Sequence, residues 1–152
     1  MTTAADAVGA ITRHHEALVD GLAHRVEAVV SAVRADAPYA EPVAQLQRML
    51  AHDIIPHAHA EEDVLYAAAD VDALRPLVTG MTYEHETLIA LTDRLAGSAC
   101  GVDAAAAAVA IEAVFLGHVR RENDLLLPSL AADPQVDLPA LLPVMERRFA
   151  PY

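Results

Sequence analysis

The segment His57-Ala58-His59-Ala60-Glu61-Glu62-Asp63-Val64-Leu65-Tyr66 sets a histidine four residues ahead of a carboxylate. On a helix that spacing puts two metal-compatible side chains one turn apart on the same face. The spacing recurs at His118-Val119-Arg120-Arg121-Glu122-Asn123-Asp124-Leu125-Leu126-Leu127-Pro128, again with an acid two places after the glutamate and an apolar close. A second pair accompanies it: Ile11-Thr12-Arg13-His14-His15-Glu16-Ala17-Leu18 matches Met81-Thr82-Tyr83-Glu84-His85-Glu86-Thr87-Leu88. The chain thus presents His15, His57 with Glu61, His85, and His118 with Glu122, one ligand pattern used twice.

Around these residues the apolar periodicity is helical. Val8, Ile11, His15, Leu18, Leu22, Val26, Val29 and Val33 step by three or four, predicting a first helix over about 4–35 with His15 on its inner stripe. His14, a residue earlier, points away by about 100°, and is read as surface together with His24. Residues 36–42, with two prolines, predict a loop. A second helix opens near Pro42 and runs through Leu46, Met49, Leu50 and Ile54 to the His57 segment. Pro56 within it predicts either a kink or a fresh start with His57 in the first turn. A third helix is expected over about 72–96, with Leu77, Met81, His85, Leu88, Leu91 and Leu95 inward. The fourth is capped by Asp103 and runs through Val109, Glu112, Phe115, His118, Glu122 and Leu126 to Pro128 or just beyond, which puts the bundle at about 4–132. Asp133-Pro134 marks a turn, and 137–149 a short amphipathic helix that packs across the others or serves a dimer contact.

These elements predict an all-α, single-domain protein over 1–152: an up-down-up-down four-helix bundle with a short C-terminal helix. Its 152 residues suffice for one core without staples, and the lack of tryptophan and scarcity of aromatics suit close-packed helices. A net charge of −12 argues against nucleic acid or an anionic membrane surface as partner. The single cysteine, Cys100, fits a reducing cytoplasm and offers no thiolate metal site. No leader is expected at residues 1–10. The most apolar stretch, 104–119, carries Glu112 and His118 and reads as short for a membrane span. The expected state is a cytoplasmic monomer or weak homodimer.

Four imidazoles and two carboxylates converging in a helical core suit iron, manganese or zinc. Were both carboxylates to bridge, with one bridging oxygen, two octahedral ions would keep about two positions open for a small ligand. Asp53, a turn before His57, is a candidate to orient an imidazole. His52 and His59 read as surface or outer-sphere groups. Tyr66 and Tyr83 reach a metal only where the backbone departs from an ideal helix. Leu18, Leu22, Ile54, Leu65, Leu88, Phe115, Leu125 and Leu126 are candidate core.

The pattern His15, His57-x-x-x-Glu61, His85, His118-x-x-x-Glu122 resembles hemerythrin-like, or HHE, cation-binding domains over about residues 11–128. The resemblance implies a non-haem di-iron centre, bridged by oxo or hydroxo and by Glu61 and Glu122, with His15, His57, His85 and His118 as the remaining ligands. Oxygen-carrying members place two histidines a turn apart on the third helix and an aspartate on the fourth. Here Met81 and Ile89 flank His85, and Glu122 stands on the fourth, so the chain resembles the four-histidine branch. That branch implies binding of dioxygen, nitric oxide or peroxide for sensing or for iron and oxygen handling. A catalase-like enzyme and a metal-free helical interaction domain are the alternatives. The cysteine-bearing N-terminal segment of related iron–sulfur repair proteins is not seen.

Overall fold

Thr3 starts the first helix. Its hydroxyl accepts from the Asp6 backbone N–H (3.1 Å), and the Asp6 carboxylate accepts from the Thr3 N–H (2.8 Å), a reciprocal cap that satisfies two donors. The computed structural model of the chain describes residues 2–69 and 72–149. Helix α1, Ala4–Arg34, buries Ala7, Ile11, His15, Leu18, Leu22, Val26 and Val29, the stripe its periodicity predicts; Val8 and Val33 are only partly buried.

Helix α2, Ala40–Met49, starts just ahead of Pro42 and passes through a π-helical turn, Leu50–Ile54, into α3, Ile55–Glu61. A second π turn, Glu62–Tyr66, follows without a break. Pro56 does not stop this rod. The Ile55 N–H bonds five residues back to the Leu50 carbonyl, and the widened turn takes up the proline in the first turn of α3. Helix α4 is Arg75–Ala96, beginning about a turn later than Asp72 because Pro76 favours a first-turn place.

Helix α5, Gly101–Arg121, begins before the predicted cap. Cys100 holds the N-cap position and Asp103 lies inside the first turn. Gly101 permits the early start: a Cβ there would come within 3.1 Å of both Tyr39 and Val33. A third π turn, Glu122–Leu126, leads into α6, Leu127–Ala132, with Pro128 in its first turn. Pro128 thus repeats the arrangement around Pro56. The resulting 101–132 rod is long and apolar enough, by length and composition, to cross a membrane, longer than the sequence reading allowed. Its Ile111, Phe115, Val119 and Leu126 are buried instead against neighbouring helices. Helix α7, Leu138–Phe149, lies on α1 and α3.

The described residues are all-helical, without strands. Their buried side chains form two apolar clusters. One holds Leu18, Leu22, Leu46, Leu50, Ile54, Leu88 and Phe115, the other Ile11, Leu65, Met81, Leu126, Leu138 and Met145. Every rod that carries a predicted ligand contributes to both, so the ligand positions fall in a polar layer between them. Leu125, expected in the core, is half exposed; Leu126 is buried as expected, and the π turn brings Leu127, five residues after Glu122, inward as well.

Candidate metal centre

Among the described residues, His15, His57, Glu61, His85, His118 and Glu122 are the buried histidines and carboxylates, each 2% exposed or less. They come from α1, α3, α4, α5 and the π turn that opens at Glu122, all of them rods fixed by apolar packing above and below. Burying so many charges among hydrocarbon is costly unless something offsets it.

Two groups emerge. Single ligand-type atoms from His15, His57, Glu61 and Glu122 all lie within 4.8 Å of one another, and so do those of Glu61, His85 and His118. Glu61 belongs to both. Its Oε1 is 2.5 Å from His57 Nε2 and 3.2 Å from His15 Nε2, while its Oε2 is 3.3 Å from His85 Nε2 and 3.5 Å from His118 Nε2. Glu122 Oε2 lies 3.6 Å from His15 Nε2 and 3.7 Å from His118 Nε2, between the two groups.

Three imidazoles are aimed from outside. His15 Nδ1 donates to the Asn123 amide oxygen (2.7 Å), His85 Nδ1 to Glu62 (2.7 Å) and His118 Nδ1 to Glu84 (3.0 Å). Glu84 is held in turn by Arg121. With Nδ1 committed as donor, each Nε2 faces inward, where loss of any proton it carries leaves the lone pair that metal ligation needs. Sequence reasoning missed all three partners. Asn123 and Glu62 directly follow predicted ligand glutamates, and Glu84 precedes His85, so adjacency to a ligand was the available signal.

Electrostatics set the two carboxylates apart. Burial opposes the charge on Glu61, but His57, His118 and His15 hold its carboxyl well below the usual range. Burial, and then the Glu61 charge, push Glu122 up. His118 loses charge stability to burial, yet the Glu122 and Glu61 carboxylates raise it to about 10; His15 is raised by the same two neighbours against the same burial.

Glu61 Oε2 and both Glu122 oxygens are buried without a hydrogen bond. Unsatisfied carboxylate oxygens facing converging imidazole nitrogens are what a cation would satisfy, and the hard oxygen and borderline nitrogen donors suit a first-row divalent or trivalent metal. The residues fit the group.

Other candidates separate. Asp53, His52, His59 and His24 are exposed, as is Tyr83 at 62%. His14 is half-buried rather than on the surface. Its ring centroid lies 5.0 Å from that of His57, and burial, then the neighbouring His57, lower it to about 4. Tyr66 moves the other way: the π turn Glu62–Tyr66 carries it inward, where its ring stacks on His85 (5.6 Å) and its hydroxyl lies 3.5 Å from His118 Nε2. Burial, then Glu61 and Glu122, push that phenol up.

An all-helical protein with a buried histidine–glutamate cluster is by class a helical metal-binding domain. The family model described as Hemerythrin HHE cation binding domain matches residues 6–130, most of the chain, and the protein belongs to that family. Neither the curated proteins nor the solved structures returned a match.

Proposed function

We propose that this domain holds two iron ions and binds a small ligand (dioxygen, nitric oxide or peroxide) for sensing or for iron and oxygen handling. The observation that carries the reading is Glu61, whose two oxygens face different pairs of imidazoles. One ion would be held by His15, His57, Glu61 and Glu122, the other by His85, His118 and Glu61, with Glu122 near enough to serve both. Manganese or zinc would suit the same donors. The reading includes an up-down-up-down arrangement of four rods. It is supported by the packing of α1 on α2 and α5, and of α4 on α5 and α2, which makes a ring of neighbours.

Such a pair of ions, when bound, supplies one-electron redox steps and open positions for a small molecule. The chain supplies the rest. Glu62, Glu84 and Asn123 orient the imidazoles, the apolar clusters keep bulk water from the polar layer, and the Tyr66 hydroxyl stands at the His118 side. Metal analysis with an optical spectrum of aerobically purified protein tests the reading. Two irons per chain with the near-ultraviolet bands of a coupled ferric pair are expected; one metal, or zinc, would overturn it.

The catalase-like alternative is favoured by one feature, the Tyr66 O–H within reach of His118 Nε2, since peroxide disproportionation needs a proton-carrying group at the reacting site. Rapid oxygen evolution from hydrogen peroxide by iron-loaded protein would select it, and a stable ligand-bound spectrum without turnover would select binding. Any role in a monomer or weak homodimer in the cytoplasm, without nucleic acid or membrane, is part of the same proposal.

A further inference from the structure

The outer face of α5 is unlike an ordinary solvent face. Its exposed positions Val102, Ala106, Val109, Ala113, Leu116 and Arg120 step by four, three, four, three and four residues. That is the spacing of a coiled-coil seam, on the side of the helix away from Ile111, Phe115 and His118. Val102 is 70% exposed, Val109 48% and Leu116 53%, and only 39% of the rod's most apolar stretch is buried. Between Asp103 and Arg120 every exposed residue of α5 is apolar. Helix α1 exposes Arg13, Glu16, Asp20, His24 and Glu27 instead. A contiguous apolar strip on so charged a protein points to a contact surface.

We infer that this face is a self-association surface, on which a second copy of the chain packs its own α5 antiparallel in an isologous contact. Large and small residues alternate along the seam, which makes it complementary to itself in that direction. With the two-fold axis at the level of Ile111, Val109 packs on Ala113 of the second copy and Leu116 on its Ala106. Val102 meets the aliphatic stem of the second copy's Arg120. Each alanine leaves room for the larger side chain opposite, so the helices approach closely. Parallel pairing would set alanine on alanine and Arg120 on its own copy. Charge favours the same direction. Asp103 lies in the first turn of α5 and Arg120 and Arg121 in its last, so antiparallel pairing joins opposite charges, and opposite dipole ends, at both ends of the contact. Glu112, partly buried on the flank, nears its own copy at the axis and opposes the pairing. At 21 residues α5 is about 30 Å long. One such helix pair is smaller than the standard interface of about 1,600 Å², so the dimer is weak and reversible. His118 faces the opposite side of α5, and the contact does not depend on the metal.

The test is sedimentation equilibrium of the purified full chain from micromolar to millimolar concentration. The mass should rise from one chain toward two, and a constant single-chain mass would overturn the inference. Val109→Glu and Leu116→Glu each put a charge into the seam at an exposed position. Each should weaken association by about tenfold, with helical content and metal content unchanged. Leu116→Ala, the milder change, should weaken it in the same direction. Unaltered association in all three would place the contact elsewhere and sink the inference as well. Charge reversal tests the direction of pairing. Asp103→Arg should weaken the dimer, and adding Arg120→Asp should restore it. A parallel pair would keep like charges at each end in both variants and show no such rescue. Glu112→Gln should tighten the dimer. A monomer at every concentration that binds neutral phosphatidylcholine vesicles, and loses them in Leu116→Glu, would make this face a membrane contact instead.

Discussion

Glu61 stands in both ligand groups, so its removal should do more than the loss of one donor. We expect Glu61→Ala, alone or with His57→Ala, to take iron content well below two per chain, measured by metal analysis of folded protein. A variant that still holds two irons would show that another group bridges. Protons compete for the same site. In the metal-free protein His118 titrates near 10, above the value of about 6.5 for a free imidazole. Because the folded value is the higher one, the stabilisation it gives is complete below about pH 6.5 and fades as pH rises through 10. A metal must displace that proton, so metal affinity should climb between about pH 7 and 9, with proton release visible by calorimetry in buffers of different ionisation heat. A flat affinity over that range would contradict the assignment of His118. Four of the six clustered groups could be read from spacing, because His-x-x-x-Glu is a property of one helix face, and His15 and His85 from the internal repeat that accompanies it. Glu62, Glu84 and Asn123 could not, since their contacts reach across to other helices. Tyr66 was conditional on a departure from ideal helix, and that departure is present.

At the scale of the element, the π turns are what spacing rules miss. Periodicity assumes about 3.6 residues per turn, and a widened turn shifts the face of everything after it. That shift leaves Leu125 at the surface and brings Leu127 in, and it carries Tyr66 to the centre. The helices themselves were legible, with ends moved by local chemistry: Gly101 lets α5 start early, and Pro76 draws the start of α4 to Arg75. Filling the Gly101 position should be costly. Gly101→Val would press on Tyr39 and Val33, and a destabilisation of about 1–3 kcal/mol is expected from denaturant unfolding. Packing above the metal layer is equally exacting. Phe115 is 2% exposed and its ring centroid lies 6.5 Å from that of His118, so Phe115→Ala should cost about 3–5 kcal/mol.

For the whole molecule, the polar layer between two apolar clusters ties stability to the metal. Without a cation the layer buries carboxylate oxygens that make no hydrogen bond, and a cation bound there would take those oxygens as ligands. Chelation should therefore lower the melting temperature. Metal at about a thousand times its dissociation constant should restore roughly 4 kcal/mol, and a melting curve indifferent to chelator would point to the metal-free interaction domain. The all-helical class and the internal repeat were legible because each half brings the same residues to the same depth. The outer partner of each ring was not, since it depends on which neighbour that ring meets. The placement of the ligands along the chain has a further bearing on biosynthesis. His15, His57 and Glu61 leave the ribosome well before His118 and Glu122, so a nascent chain exposes a partial site for as long as the remaining helices take to emerge. The centre can only be completed once the helix that carries His118 and Glu122 has emerged, and a chain that met no cation then would have its polar layer held by protons alone.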